Sequence, residues 1–475
     1  MSARLGEVVA AAGTQVTSLN REAIAISSSL VLLEAEHDSR RVGDGMIFAC
    51  IPGTNADGHD YAAAVKDAGA AALLVDHELD LAIPQIVVSN VREAVGPVAA
   101  CIHNNPSQSF DVVGVTGTNG KTTTVRMVSS IGEILGKDCL EIGTLTGERT
   151  TPEATDLQRI LAVARHDRRE LVAMEVSSHA LDLHRVNGTR FSVAAFTNLG
   201  VDHLDHHGDL EAYFAAKALL FTPDLCDLAV IDVRSEAGAR MASLASVPVV
   251  AIDDDLVEIL DLGSRRSRFR WRSAEVDLPL GGAFNVANAA LAAEIMVALG
   301  VEQADVIGGL AELPTVPGRF EQIDEGQRFA VIVDYAHTPD GLEAVLQAAR
   351  AVTQRSLIVV FGAGGDRDQG KRSQMGEVPR RLDDRGVVTN DNPRSEDPNA
   401  IIAFVVSGMH KSPDLVEPDR RMAIRHAFAA ARDGEVVLIA GKGHEVTQTI
   451  GADVLEFDDR VVARDELRRL GGANS

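Results

Sequence analysis

Seven times along this chain a short apolar run ends at once in a polar or glycine-rich cluster. "DVVGV" runs into "TGTNGKTTT", "LVAM" into "EVSSH", and "VAAF" into "TNLGVDHLDHH". Further on, "FAVIV" meets "DYAHTPDG", "SLIVVF" meets "GAGGDRDQGKR", "GVV" meets "TNDNPRSEDP", and "EVVLI" meets "AGKGHE". Uninterrupted β-branched runs of strand length are buried on both faces, as in a parallel sheet covered by helices. Stretches with helical character, such as "TTTVRMVSSIGEIL" and "TPDGLEAVLQAARAV", alternate with them, and Thr338-Pro339 supplies an N-cap and first-turn pair for the second. The expected fold class is therefore α/β, with ligands at the carboxyl ends of the strands. One polar strand end is a turn; seven mark clefts.

With 475 residues the chain exceeds one core, and about three domains are expected. The longest apolar runs fall far short of the ~20 residues needed to cross a bilayer, so no membrane insertion is expected. The start "MSARLGEVVAAAG" lacks the pattern of a signal peptide, and Cys50, Cys101, Cys139 and Cys226 are scattered without metal-binding spacing. Both features point to a cytoplasmic protein with reduced thiols. The net charge of −24 argues against nucleic-acid binding, which requires a basic face. Any phosphate or carboxylate site must be built locally, against that overall field.

"GVTGTNGKTTT" is the strongest local signal. Gly117 and Gly120 let the backbone of Gly117, Thr118, Asn119 and Gly120 curl so that its N–H groups face a phosphate. Lys121 would reach the terminal phosphates, while Thr122 and Thr123 open a helix whose N-terminus favours the anion. The first glycine stands one place early, at Gly114. Glu175, at the end of "LVAME", is placed like an acidic magnesium ligand. "DHLDHH" offers His203, His206 and His207, but without an H-E-x-x-H pattern or a thiolate partner zinc is disfavoured against magnesium. "TNDNPRSEDP" on its own reads first as a solvated turn.

Taken in order, these motifs resemble the Mur ligases, ATP-dependent enzymes that extend the peptide stem of bacterial cell-wall precursors. The likeness is greatest to the MurE type, which adds the third amino acid. It runs from "DSRRVGDGMIFACIPGTNADGHDY" to "FDDRVVARDEL", through "TTPEA", "MEVSSHAL", "YFAAKALLF", "FNVANAALAA", "PGRFE", "VDYAHTPDGLE" and "DNPRSEDP". The resemblance implies an N-terminal UDP-binding domain (1–104) and a central P-loop ATPase domain (105–313) with a mainly parallel sheet. A Rossmann-like C-terminal domain (314–475) would bind the amino acid. The joins fall near Asn104-Asn105-Pro106 and just before "PTVPGRFE".

The reaction so implied joins meso-diaminopimelate to UDP-N-acetylmuramoyl-L-alanyl-D-glutamate through an acyl phosphate made from ATP, with Mg²⁺ present. Lys121 and Thr122 would serve the ATP phosphates. Thr122, Glu175, His203 and a carbamylated Lys217 would hold magnesium. Asn285 and Asn288 match positions near adenine, and Arg319, Asp334 and His337 match residues at the nucleotide and the domain junction. Ser39, Thr150, Thr151, Ser177 and Arg185 match the UDP-sugar-dipeptide side; Thr150-Thr151 reads equally as a helix N-cap. Asp391, Asn392, Pro393, Arg394, Gly441 and Glu445 match the amino-acid pocket. There Arg394 would fork onto the far carboxylate of diaminopimelate, which lysine lacks. A monomer acting on small molecules is expected. Against the family pattern, Gly200-Val201 replaces a polar pair, often Ser-Arg, "TGER" shortens a connection, and Asp227 to Gly281 is compressed. The alternatives are the same reaction with L-lysine or another acceptor, or a nucleotide-binding paralogue without this activity.

Overall fold

All seven apolar runs are strands, distributed over two six-stranded sheets. In the first, the order is Val249–Ile252, Ala229–Asp232, Val193–Phe196, Asp111–Thr116, Leu171–Glu175, Cys139–Ile142, and every pairing is parallel. In the second, Ala330–Asp334, Val436–Ala440, Leu357–Phe361, Arg385–Val388 and Leu415–Val416 are parallel neighbours, with Glu321–Ile323 antiparallel at one edge. A third sheet of five strands lies nearer the N-terminus, in the order Val16–Leu19, Gln85–Val88, Ala72–Val75, Met46–Ala49, Glu34–Glu36. The computed structural model describes residues 1–53, 56–353, 355–366, 369–382, 384–409 and 412–473. Of the motif stretches, Thr54, Asn55, Arg367 and Asp368 lie outside the described residues.

The central sheet is buried on both faces, which is why its strands lack alternation. On one face, Val113, Val115 and Val193 pack with Val128 and Ile131 of the helix Lys121–Ile134 and with Ala289 and Ile295 of Ala283–Ala298. On the other, Val112, Val172 and Phe196 pack with Leu157, Leu161 and Phe214. The helix Pro339–Ala351 is capped as its sequence implies, the Thr338 hydroxyl accepting from the Gly341 N–H at 3.2 Å.

The compressed stretch holds an element that the run-and-cluster pattern does not announce. Val257–Leu262, Ser267–Trp271 and Ala274–Leu278 form a small antiparallel sheet. Trp271 anchors it: its indole N–H donates to Glu294 at 2.8 Å, and Arg272 pairs with the same carboxylate. Among the described residues, no helix is long and apolar enough to cross a membrane.

Candidate active site

The phosphate-type loop leaves the strand Asp111–Thr116 in a conformation that only glycine accepts at two places. Gly117 has φ +146°, and a Cβ there would lie 1.9 Å from the Thr197 hydroxyl. Gly120 has φ +88°, and a Cβ would lie 2.5 Å from Asn288 Oδ1. The extension of the neighbouring strand fixes the loop. The Thr118 N–H donates to the Asn198 carbonyl (2.9 Å), the Asn119 N–H to Asn198 Oδ1 (3.0 Å), and the Thr197 hydroxyl to the Asn119 carbonyl (2.6 Å). Lys121 Nζ curls over the loop and donates to the Gly117 and Thr118 carbonyls at 2.9 and 2.8 Å.

A second amine sits beside the first. Lys217, on the helix Leu210–Ala218, is 1% exposed; its Nζ donates to the Gly117 carbonyl at 2.9 Å and lies 4.0 Å from the Tyr213 ring centre. Burial and the neighbouring Lys121 hold its pKa well below the ordinary lysine value, with Asp202 opposing. Burial lowers Lys121 as well. Glu175, also buried, accepts from the Thr122 hydroxyl at 2.9 Å and from the Thr144 N–H at 2.7 Å. His203 follows Asp202 with φ +55°. Burial pushes its pKa down against the pull of Asp202.

The C-terminal sheet delivers a further set of groups to the same place. An Arg319 guanidinium N–H donates to the Thr122 hydroxyl at 3.1 Å, and its plane lies 4.4 Å from the Tyr335 ring centre. Asp334 is buried and accepts the Phe320 N–H (2.7 Å) and the Ala336 N–H (2.8 Å). It thereby ties the backbone before Glu321–Ile323 to that after Ala330–Asp334. Burial raises its pKa. His337 is bonded through Nδ1 to the Tyr335 carbonyl at 2.8 Å, and burial lowers its pKa.

The loop after Arg385–Val388 stands opposite. Asn392 donates to Glu445 at 2.7 Å and accepts the Thr449 N–H at 2.8 Å. Arg394, at φ +52°, donates to the Gly365 carbonyl at 2.6 Å. Gly441 has φ +121°, and a Cβ there would lie 2.6 Å from an Asp391 carboxylate oxygen. Beneath the loop Arg420 and Asp459 form a fully buried pair (2.7 and 2.8 Å), and the same guanidinium donates to the Asn390 and Ala440 carbonyls. Burial, and then Asp391, raise the pKa of Glu445.

One cleft of about 640 Å³ joins these groups. Its lining includes Lys121, Thr122, Thr150, Glu175, Ser177, His203, Lys217, Asn288, Arg319, Asp334, His337, Asp391, Asn392, Arg394, Gly441 and Glu445. Five of the expected site residues do not line it: Ser39, Thr151, Arg185, Asn285 and Pro393. Asn285 is buried with its amide given to the Gly281 carbonyl at 2.8 Å. Arg185 pairs with Glu153 at 2.9 Å and borders a small separate hollow with His37 and Arg92. Thr151 donates to the Glu175 carbonyl at 2.9 Å and accepts the Ser177 N–H at 3.0 Å. The helix N-cap reading of Thr150-Thr151 is incorrect: the helix is Ala154–His166 and its N-cap is Glu153, without a side-chain cap bond. The proline at 152 carries the chain out of Thr151 extended, and the threonine hydroxyl braces the neighbouring strand end instead.

Three family models match in chain order: "Mur ligase family, catalytic domain" over 35–106, "Mur ligase middle domain" over 115–296, and "Mur ligase, glutamate ligase domain" over 318–443. A UDP-N-acetylmuramoyl-L-alanyl-D-glutamate--2,6-diaminopimelate ligase of Syntrophomonas wolfei is 43% identical over 458 residues, 91% of this chain and 94% of that protein. The chain belongs to the Mur ligase family. A solved diaminopimelate ligase structure shares the fold at TM-score 0.67 and 31% identity, covering 93% of this chain and 95% of that one. The MurF ligase of Thermotoga maritima, solved in complex with ADP, shares the fold at TM-score 0.63 and 19% identity, covering 92% and 96%.

Two features of this Mur ligase were not foreseen. Lys371, in "GAGGDRDQGKR", lines the cleft with Nζ 4.0 Å from Asp202, although its motif suggested no role for it. The Gly200-Val201 departure is occupied by a contact across the seam. The Gly200 N–H donates to Thr118 at 2.9 Å, and the Val201 N–H donates to Asp340 at 2.6 Å.

Proposed function

We propose that this Mur ligase adds meso-diaminopimelate to the D-glutamate γ-carboxylate of UDP-N-acetylmuramoyl-L-alanyl-D-glutamate, using ATP and passing through an acyl phosphate. One observation carries the reading: the phosphate-type loop and the Arg394 loop face each other across one cleft. A carboxylate is a poor electrophile until phosphorylated, so the two anions and the incoming amine must meet in one place, with developing charge neutralised.

In this reading Lys121 and the N–H groups of Gly117 to Thr123 bind the ATP phosphates. Arg319 adds charge from the other side, and Asn288, with Asn285 behind it, borders the adenine end. Asp334 holds the Arg319 segment, and His337 stands at the junction. Ser39, Thr150, Thr151, Ser177 and Arg185 take the nucleotide-sugar dipeptide. Arg394 takes the distal carboxylate of diaminopimelate by a bidentate fork, while Asp391, Asn392 and Glu445 address its ammonium groups, with Pro393 and Gly441 shaping the loop.

The Thr122 hydroxyl and the Glu175 carboxylate, 2.9 Å apart on the cleft wall, are hard oxygen donors that suit Mg²⁺. His203 and a carbamylated Lys217 would complete the set. Mg²⁺ bound there would neutralise phosphate charge and orient the transferred group. Lys217 is fit for carbamylation because its environment favours the neutral, nucleophilic amine. We also assign the UDP-binding, ATPase and amino-acid-binding units to 1–104, 105–313 and 314–475, in a monomer.

The test is phosphate release from ATP with the UDP-muramoyl-dipeptide, comparing meso-diaminopimelate, L-lysine and no amino acid, with product mass measured. Release and tripeptide only with diaminopimelate support the reading. Turnover with lysine alone overturns the specificity, and no turnover with any acceptor overturns the function.

A further inference from the structure

Away from the cleft, the N-terminal sheet brings two histidines and two aspartates together at the ends of neighbouring strands. Met46–Ala49 and Ala72–Val75 run parallel, with Ala49 opposite Leu74. The loop after the first strand turns through Asp57 into the short 3-10 helix Gly58–Tyr61, which carries His59. The second strand ends directly in Asp76-His77. The carboxyl ends of adjacent parallel strands are where α/β sheets place ligands.

The hydrogen bonds fix the state of His59. Its Nδ1 lies 2.7 Å from Asp57 Oδ1, and an ionised carboxylate only accepts, so Nδ1 carries the proton. Nε2 therefore keeps a lone pair, and it lies 3.2 Å from Asp76 Oδ1 and 3.4 Å from the Asp76 N–H. A ring that donates its Nδ1–H to a carboxylate has the tautomer of a metal-ligating histidine, and a metal at Nε2 would replace the long hydrogen bond accepted there from the Asp76 N–H. The His77 ring stacks at 4.7 Å from that of His59, and one ligand atom each from His59, Asp76 and His77 lie within 4.8 Å of one another. His59 is nearly buried, with its side chain 7% exposed, while His77 is exposed and its Nδ1 lies 2.5 Å from Asp76 Oδ1. Buried Cys50 lies at the end of the first strand, and its thiol is pushed up to about 12 by burial and by Asp57 and Asp76. The ligand atoms that converge are those of His59, Asp76 and His77, a nitrogen and oxygen set.

We infer that His59, Asp76 and His77 form a site for a divalent transition metal of the zinc class, with Asp57 as the positioning carboxylate. Two imidazoles and one carboxylate favour Zn²⁺, Co²⁺ or Ni²⁺ over Mg²⁺, and three protein ligands leave a position for water. The metal would clip the Gly58–Tyr61 turn to the neighbouring strand end. A second grouping, Asp182, His206 and His207, packs against Ser178 and His179 of the cleft wall and serves as the control.

The test titrates the full chain with ZnCl₂ alone by calorimetry, and with CoCl₂ alone by visible absorption, in the wild type and in H77A, D76N, D57N and H206A. The wild type and H206A should bind about one equivalent with ligand-field bands of Co²⁺ in a nitrogen and oxygen site. H77A and D76N should lose that equivalent, and D57N should bind it about tenfold to hundredfold more weakly. Because His77 is exposed, H77A should unfold at the wild-type temperature without metal and lose only the Zn²⁺-induced rise in midpoint. Unchanged zinc affinity in H77A and D76N overturns the site, as does loss of the bound metal in H206A alone.

Discussion

Arg319 and Thr122 meet across the seam between the C-terminal and central sheets, guanidinium to hydroxyl at 3.1 Å. Thr122 is at the same time bonded to Glu175, so one hydroxyl connects an acid on the central sheet to a cation on the C-terminal one. In the proposed reaction this contact would couple phosphate binding to the approach of the two sheets. R319A should lower kcat by about 10²–10³, the usual cost of removing one preorganised donor from developing charge. R319K should recover only part of it, since lysine lacks the planar fork. Steady-state kinetics with ATP varied check this; a variant that loses only ATP affinity, with kcat intact, would contradict it.

Arg394 should separate amino-acid selection from nucleotide chemistry. R394K is expected to lower kcat/KM for diaminopimelate by about tenfold to a thousandfold, because the lysine keeps the charge but loses the bidentate fork onto the distal carboxylate. KM for ATP should change little, because Arg394 is held on the far loop by Gly365 and Thr449. Equal losses for both substrates would mean that the arginine shapes the loop instead.

Much of this was legible beforehand because parallel strands declare themselves. Runs such as "LVAM" and "VVLIA" are apolar at every position, being covered on both faces, and the polar or glycine-rich cluster that follows each one is where the cleft forms. The antiparallel sheet at 257–278 was less visible for the opposite reason. It has one buried face, so Ser267–Trp271 alternates buried with exposed or partly buried positions, a signal of period two that a search for continuous runs passes over. Lys371 and Asp340 were missed because their roles depend on a meeting of two sheets, which no local pattern records. Asn285 shows the limit of spacing arguments: it stands three residues from Asn288 on one helix, yet only Asn288 reaches the cleft.

His444 should give the fold a measurable acid sensitivity. Burial, with Arg319, Arg460 and His337 nearby, pushes its pKa down to about 4 from an unfolded value near 6.5. The unfolded chain therefore binds the proton more readily across that window. Stability from keeping the ring neutral is complete above about pH 6.5 and is lost as pH falls toward 4. H444Q should reduce the slope of unfolding free energy against pH between those values by up to one proton's worth. Urea unfolding at a series of pH values measures it, and a slope unchanged in H444Q would place the sensitivity elsewhere.

The buried amine of Lys217 predicts a modification that can be seen directly. Burial and the neighbouring Lys121 lower its pKa, which favours the neutral amine that attacks dissolved CO₂. Protein equilibrated with ¹³C-bicarbonate should show a carbamate carbon signal that K217A lacks. Turnover in K217A should fall by about 10² or more, by analogy with removal of other charge-stabilising groups. Wild-type protein without the signal would leave Lys217 acting as an amine.

Asp340 offers a way to loosen the seam without touching phosphate-binding groups. It begins the helix Pro339–Ala351 and accepts the Val201 N–H at 2.6 Å, on the strand-end segment where the family usually carries a polar pair. Gly200 permits that approach, since a Cβ there would lie 2.6 Å from the Asp340 carboxylate. A hydrogen bond to a charged group contributes about 1.5–3 kcal/mol, so D340A should shift the balance toward an open form by about tenfold to a hundredfold. G200S should act in the same direction by crowding the carboxylate. Small-angle scattering should register a larger radius of gyration for both variants, and substrate should restore the wild-type value by supplying binding energy to the closed form. If D340A scatters as the wild type does while its turnover falls, the carboxylate is acting on the reactants and not on closure.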